Sequence, residues 1–138
     1  MKQVDVAVGV VYKADDTGCY FFVCKRHADQ HQGNKWEFPG GKVDAGESPE
    51  QALSRELKEE IDIKVHRAEA LTHIDFSYPE KSVSLHVYLV SEFDGTAKGA
   101  EGQIGKWISA DALSSLSFPD ANAKILVILR QKGLIPSA

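Results

Sequence analysis

The sequence predicts an α/β or α+β domain built on a mixed β-sheet. Strand-like runs, rich in valine and aromatic residues, lie before, between and after two segments with helical periodicity. The chain is 138 residues long, which is the size of one ordinary domain. With 43% hydrophobic and 26% charged residues, it can bury a core and is not a disordered tail. We therefore expect one domain over residues 1–138.

Two strands are expected before the first helix. Val4 to Tyr12 is rich in valine, and Tyr20 to Cys24 is a short apolar run typical of a buried strand. The valines that alternate onto one face of the first strand are Val6, Val8 and Val10. A polar loop then leads into Trp36-Glu37-Phe38, and Pro39-Gly40-Gly41 predicts a sharp break in the backbone.

The first helix is expected to begin after Ser48. Ser48 suits the N-cap, Pro49 suits the first helical position, and Gln51 completes a capping box. An apolar residue recurs at every fourth position and forms a stripe for burial, comprising Leu53, Leu57 and Ile61.

The second half of the chain predicts three more strands and a second helix. Ala70 to Phe76 and Ser82 to Val90 have the alternation of strands, and Gln103 to Ile108 is a weaker candidate. Ala121 to Arg130 has helical periodicity, and Gly133 is suited to ending that helix.

Three glutamates lie beside the buried stripe of the first helix. At ~100° per residue, Glu56, Glu59 and Glu60 fall within one third of the helix circumference. Like charges at this spacing destabilise a helix, and partial burial increases the cost. The arrangement therefore indicates a bound cation. The alternative is an acidic face exposed to solvent, as most acidic runs are.

The residues just before the helix favour the cation. Gly40 and Gly41 allow the backbone to approach a ligand closely, and Glu47 lies one residue before the N-cap. A glycine loop followed by a helix rich in carboxylates supplies the oxygen ligands that Mg²⁺ prefers.

These residues also stand at the spacing of a known motif. Gly41, Glu47 and the run Arg55-Glu56-Leu57-x-Glu59-Glu60-x-x-Ile63 resemble the Nudix box, so the chain is similar to the Nudix hydrolases. Asp62 departs from the motif, because the family usually has glycine there. Glycine adopts a left-handed conformation at the end of a helix more readily than Asp does. The substitution bears on the helix end and not on the metal ligands.

The resemblance extends over nearly the whole chain. The segments that resemble the MutT-type enzymes of this family, which hydrolyse oxidised guanine triphosphates, are 4–11, 25–26, 34–42, 101–103 and 118–122. The resemblance implies a Nudix-type α/β/α sandwich with a mixed β-sheet between helices. It also implies hydrolysis of a nucleoside triphosphate to the monophosphate and pyrophosphate, with 8-oxo-dGTP as the expected substrate and cleansing of the nucleotide pool as the role.

The resemblance further assigns a metal site for Mg²⁺, with Mn²⁺ as a substitute. The metal ligands it implies are Gly40 (through its carbonyl), Glu56, Glu59, Glu60 and Glu101. Glu47 supports the site from the loop, and Arg55 orients a glutamate carboxylate. Either Glu56 or Glu101 is expected to be the general base. The alternative for Arg55 is a surface pair with Glu59, and the alternative for Glu101 is a glutamate exposed in its loop.

The same resemblance implies a base-binding pocket. Its lining residues are Arg26, Glu37, Phe38, Tyr78 and Asn122. The two aromatic residues can equally be part of the core, which is their more common fate. Asn122 begins a predicted helix, so helix capping is its alternative role.

Charge and composition exclude several classes of protein. The formal charge of −4 gives no electrostatic basis for binding duplex nucleic acid. No apolar stretch reaches the ~20 residues that span a bilayer, so we expect a cytoplasmic monomer or weak homodimer whose partner is a nucleotide. Cys19 and Cys24 are expected to be reduced thiols, since their spacing matches no zinc or redox motif.

Three rival functions remain open at this point. The first is hydrolysis of CTP or of a methylated cytosine nucleotide, because close Nudix relatives act on those. The second is an inactive Nudix fold that binds a nucleotide without cleaving it. The third is an acidic domain without a metal.

Overall fold

The computed structural model describes residues 2–30 and 33–136. Its strands are β1 (Lys2–Asp15), β2 (Gly18–Lys25), β3 (Trp36–Glu37), β4 (Gly40–Lys42), β5 (Lys64–Tyr78), β6 (Lys81–Asp94) and β7 (Gly105–Ser109). Its helices are α1 (Pro49–Ile61), α2 (Ala110–Leu113) and α3 (Asp120–Gln131). In these residues no helix combines the length and the apolar character that crossing a bilayer requires.

Strand β1 is the centre of a mixed sheet. Its residues from Lys2 to Val11 pair in parallel with β6, and its end pairs antiparallel with β2. Strand β4 adds to β1 antiparallel at residues 6–8, β5 pairs antiparallel with β6, and β3 and β7 both pair with β2. The mixed sheet predicted from the sequence is confirmed.

The two faces of β1 contribute to two separate cores. Ala7 and Val11 pack with the α1 stripe, while Val8 and Val10 pack with the apolar face of α3. All three stripe residues, Leu53, Leu57 and Ile61, are at most 1% exposed, and each contributes about 1.5–3 kcal/mol by burial. A helix on each side of the sheet gives the α/β/α sandwich that the resemblance implies.

Several predicted boundaries are wrong. Strands β5 and β6 extend well past the apolar runs that predicted them, because ladder hydrogen bonds continue along their exposed ends. Gly40 and Gly41 form β4 and are not simply a break. A Cβ at Gly40 would lie 2.0 Å from the Ala7 carbonyl oxygen, so glycine is needed for the close pairing of β4 with β1. Helix α2 was not predicted, whereas Cys19 and Cys24 are free thiols as expected.

Helix α1 begins at Pro49, as predicted, and ends just before Asp62. The Ser48–Gln51 capping box is present. Asp62 adopts the left-handed conformation with φ of 59°, and its Oδ1 accepts a hydrogen bond from Lys58 Nζ at 2.9 Å. Asp62 therefore fulfils the helix-ending role that glycine usually has in the Nudix box.

The left-handed conformation of Asp62 predicts an order of thermal stability for two variants at this position. Asp62→Gly is expected to leave the thermal midpoint within about 2 °C of wild type, because relief of the left-handed conformation offsets the lost Lys58 contact. Asp62→Val is expected to lower it by about 4 °C, since a β-branched residue is strained there. Thermal unfolding followed by circular dichroism checks this order. Equal midpoints for the two variants would contradict it.

Candidate active site

An open cleft lies over β1 and β4, between α1 and the loop that joins β6 to β7. The carboxylates that line it are Glu37, Glu56, Glu60 and Glu101, and the basic residues are Lys25, Arg26, Lys42 and Lys81. A more apolar pocket opens beside this cleft, and Arg26, Glu37 and Gly40 border both spaces. An anion held in the cleft can therefore extend into the apolar pocket.

The predicted glutamates of α1 differ in their surroundings. Glu60 is only 8% exposed, and its Oε2 accepts a hydrogen bond from the Gly40 N–H at 3.2 Å. Glu56 is half-buried against Gly41, where a Cβ would lie 2.3 Å from the Glu56 carboxylate. The side chain of Glu59 is 52% exposed, and Glu59 stands outside the residues that line the cleft.

The carboxylate of Glu60 carries an electrostatic cost. Burial raises its pKa to about 8, with further increases from Glu37, Glu101 and Glu56, while the Gly40 N–H acts in the opposite direction. A buried carboxylate with like-charged neighbours is stabilised by a proton or by a cation.

Arg55 connects the helix to the loop before it. Its Nε and Nη2 donate to both oxygens of Glu47 at 2.8 and 2.9 Å, and Nη1 donates to Glu56 Oε1 at 2.8 Å. Its Nη2 also donates to the Lys42 carbonyl at 3.0 Å. The alternative pair with Glu59 is the longest of these contacts, at 3.5 Å. Arg55 thus fixes the Glu56 carboxylate, and Glu47 fixes Arg55. The hydrogen bonds that Arg55 donates to Glu47 lower the pKa of Glu47 to about 2.

Glu101 enters the cleft on the loop between β6 and β7. It is exposed, and its charge is close enough to contribute to the raised pKa of Glu60. The backbone of the loop is bound to the end of α1, where the Ala100 N–H donates to the Glu60 carbonyl at 2.9 Å.

The donor set fits a hard divalent cation. The cleft offers carboxylate and carbonyl oxygens, including the buried Glu60, and these are ligands of the Mg²⁺ type. Across residues 2–30 and 33–136, no three carboxylate, thiol or imidazole side chains form a closed metal cluster. Gly40 lies on β4 and Glu101 lies on the loop between β6 and β7, so tertiary structure is needed to bring them to the helix that carries Glu56 and Glu60.

The apolar pocket contains the residues predicted for base binding. Phe38 is buried and stacks on Phe118 with a centroid distance of 5.5 Å. The buried Tyr78 accepts a hydrogen bond from the Ala121 N–H at 3.1 Å through its hydroxyl. Both aromatic residues therefore belong to the core and line the pocket at the same time. At the pocket mouth, Arg26 Nη1 lies 2.5 Å from Glu37 Oε1.

Asn122 is not a helix cap. The N-cap of α3 is Pro119, which makes no side-chain capping bond. The Oδ1 of Asn122 instead accepts a hydrogen bond from the Phe38 N–H at 3.1 Å. Asn122 also lines the pocket, and a side-chain amide that accepts one hydrogen bond keeps its NH₂ donors and a second oxygen lone pair for other partners.

Sequence reasoning did not assign the lysines of the cleft. Lys81 begins β6 and borders both the cleft and the apolar pocket, while Lys25 and Lys42 border the cleft alone. Their place in the cleft beside the carboxylates follows from strand pairing, which has no local signal in the sequence.

Comparison with known proteins identifies the family. Residues 3–129 match the NUDIX domain family. The chain is 45% identical to the 8-oxo-dGTP diphosphatase of Haemophilus influenzae, over 91% of this chain and 90% of the relative. It is 37% identical to the 8-oxo-dGTP diphosphatase of Escherichia coli, over 95% of this chain and 99% of the relative. The chain therefore belongs to the Nudix family, whose hydrolases depend on a divalent metal.

Within the family, MutT proteins are among the similar solved structures. A solved MutT structure, from work on the Aliivibrio salmonicida and Vibrio cholerae proteins, superposes with a TM-score of 0.78 at 39% identity. It covers 94% of this chain and 99% of that chain. A CTP pyrophosphohydrolase of Escherichia coli is also similar, at 32% identity over 91% of this chain and 88% of the relative.

The raised pKa of Glu60 predicts how stability depends on pH without metal. The folded state binds a proton that the unfolded state releases between pH 4.5 and about 8. The free energy of unfolding should therefore fall as pH rises through that range, by on the order of 1 kcal/mol per pH unit. Glu60→Gln should flatten this fall. Urea unfolding in a chelating buffer measures the free energy of unfolding at each pH. Parallel pH profiles for wild type and Glu60→Gln would contradict the prediction.

Proposed function

We propose that this protein hydrolyses a modified nucleoside triphosphate, with 8-oxo-dGTP preferred, to the nucleoside monophosphate and pyrophosphate. One observation carries the proposal: the carboxylate cleft opens directly into an apolar pocket whose wall includes the amide of Asn122. The cleft suits a metal-bound triphosphate, and the pocket suits a flat base. The named relatives support the same activity. Removal of oxidised nucleotides before polymerisation is the proposed role.

The proposed cation is Mg²⁺, with Mn²⁺ as a substitute. The proposed ligands are the Gly40 carbonyl, Glu56, Glu59, Glu60 and Glu101. When bound, the ion neutralises the phosphate oxygens and lowers the pKa of water near them. Glu59 is exposed and would join the site from outside the cleft lining, whereas the buried Glu60 supplies the charge that most needs a cation.

The chain's own groups supply proton transfer and alignment. Glu56 or Glu101 accepts the proton of the attacking water, since both carboxylates face the cleft. Arg55 holds Glu56 in one orientation, and Glu47 holds Arg55 in turn. The lysines of the cleft offset the charge of the phosphates.

Base recognition is proposed to rest on Asn122. Oxidation of guanine at carbon 8 converts nitrogen 7 from a hydrogen-bond acceptor to a donor. The NH₂ group of Asn122 can then face a base carbonyl, while its second oxygen lone pair accepts from the new N–H. Phe38 and Tyr78 form apolar walls, and the Arg26–Glu37 pair forms the mouth. Unmodified guanine would leave the amide oxygen opposed to a lone pair.

Hydrolysis of CTP is the second candidate, because a CTP pyrophosphohydrolase is among the similar proteins. We further propose that the chain acts as one domain, in the cytoplasm, as a monomer or weak homodimer without duplex nucleic acid. Its formal charge of −4 supports the last point. A nucleotide-binding module without turnover is separated from both enzymes by assaying pyrophosphate release.

The metal proposal predicts loss of activity on chelation. Hydrolysis should stop when divalent ions are removed and return with millimolar Mg²⁺ or Mn²⁺, since the ligands are hard oxygens. Glu59→Gln and Glu60→Gln should each lower turnover more than ~100-fold with the fold intact. Glu69→Gln is the matched control, because Glu69 is exposed on β5 and pairs only with Arg67 among its described ion pairs. Full activity after chelation would overturn the proposal.

The substrate proposal predicts a preference that Asn122 controls. Wild type should favour 8-oxo-dGTP over dGTP in kcat/KM. Asn122→Ala should lose most of that preference, worth about 1–3 kcal/mol, while retaining slow hydrolysis of both. Asn122→Asp keeps an oxygen for the Phe38 N–H but loses the NH₂ donors, so it should lose the preference as well.

The measurement is pyrophosphate release over a panel that includes CTP and a methylated CTP. If CTP is the best substrate, the second candidate replaces the first. An unchanged ratio in Asn122→Ala would show that Asn122 serves only to hold Phe38.

A further inference from the structure

The side chain of Gln103 connects two segments that carry cleft glutamates. One is the loop between β6 and β7, with Glu101, and the other is the end of α1, with Glu60. Its Oε1 accepts a hydrogen bond from the Glu101 N–H at 2.9 Å, and its Nε2 donates to the Glu60 carbonyl at 3.0 Å. Gln103 is half-buried, and its Nε2 also lies 3.9 Å from the buried Cys24 Sγ. A single amide thus joins the backbones of Glu101 and Glu60.

The surrounding backbone explains why this connection forms here. The last carbonyls of a helix have no partner within the helix. In α1 the loop between β6 and β7 satisfies them: the Lys98 N–H donates to the Ile61 carbonyl at 3.1 Å, and the Ala100 N–H donates to the Glu60 carbonyl. The loop folds back so tightly that a Cβ at Gly99 would lie 1.8 Å from the Gln103 carbonyl oxygen.

Charge repulsion in the cleft opposes this position of the loop. Glu101 is exposed and shares the cleft with Glu56 and Glu60, so charge repulsion favours conformations in which Glu101 turns away from the cleft. Gly102, with φ of +85°, follows it directly and gives the loop the freedom to do so. The Gln103 amide opposes this motion by bonding the Glu101 backbone to the helix end.

We propose that Gln103 is a positioning residue that holds Glu101 against the carboxylate face of α1. The proposal rests on the proposed function, in which Glu101 serves the metal site. Gln103 does not contact the nucleotide; it acts through Glu101. Groups that orient metal ligands in this way typically change metal affinity or activity by about 10–100-fold when removed.

The principal variants are Gln103→Met, which keeps the length of the side chain without the amide, and Gln103→Glu. Gln103→Glu keeps an oxygen that can accept from the Glu101 N–H, but it places its other oxygen against the Glu60 carbonyl oxygen. Both should lower kcat by about 10–100-fold and weaken Mn²⁺ binding to the nucleotide-free protein, measured by calorimetry. The KM should change less than about threefold, because the base pocket is untouched. Gln131→Ala, at an exposed residue on the end of α3, is the matched control.

Amide hydrogen exchange gives a readout that is independent of turnover. In Gln103→Met, exchange of the Glu101 and Ala100 N–H groups should rise by at least about tenfold, because the loop opens more often. The amides of the α1 core should be unaffected. Wild-type exchange at Glu101 in this variant would overturn the proposal, as would a kcat within a factor of two of wild type.

A double variant separates this inference from the proposed function. In a Glu101→Gln background, Gln103→Met should lower kcat by less than a further factor of about two, because both changes remove the same contribution. Effects that multiply would overturn the positioning role, and so would a normal kcat in Glu101→Gln alone. Absence of hydrolysis by wild type would instead refute the proposed function.

Discussion

The cleft depends on a carboxylate that is buried among other carboxylates. Glu60 lies on the inner side of α1, close enough to Glu37, Glu101 and Glu56 for its pKa to rise to about 8. Such a group is costly as a free anion and is stabilised once a cation or a proton joins it. The charge repulsion that destabilises the cleft is therefore the interaction that the divalent cation proposed for it would relieve.

The fold holds these carboxylates together against their repulsion through backbone and side-chain contacts. Gly41 leaves the space that the Glu56 carboxylate occupies, and the Gly40 N–H gives Glu60 a hydrogen bond. Pairing of β4 with β1 fixes both glycines, while Arg55 neutralises charge on the outer side. The carboxylates of the cleft are thus held in place by β4 and by Arg55, through contacts that do not involve a cation.

Much of this could be predicted from the sequence because it is local. The capping box at Ser48, the stripe of Leu53 and Leu57, and the spacing of Glu56 and Glu60 all lie within one helix, where periodicity fixes which residues share a face. The limits of β5 and β6 could not be predicted in the same way. Their ends are exposed and polar. Hydrogen bonds to the partner strand extend them, and such bonds leave no apolar pattern in the sequence.

The sequence by itself determined the class of fold, the family and the carboxylate helix, since each rests on residue types at fixed spacing along the chain. Only the tertiary structure decided which glutamates face the cleft, leaving Glu59 exposed outside its lining and bringing Glu101 into it with Glu60. It also decided that Asn122 bonds Phe38, a residue distant in sequence, and does not cap α3. These outcomes depend on how strands pair and how helices pack on the sheet, and contacts between distant residues leave no signal in local spacing.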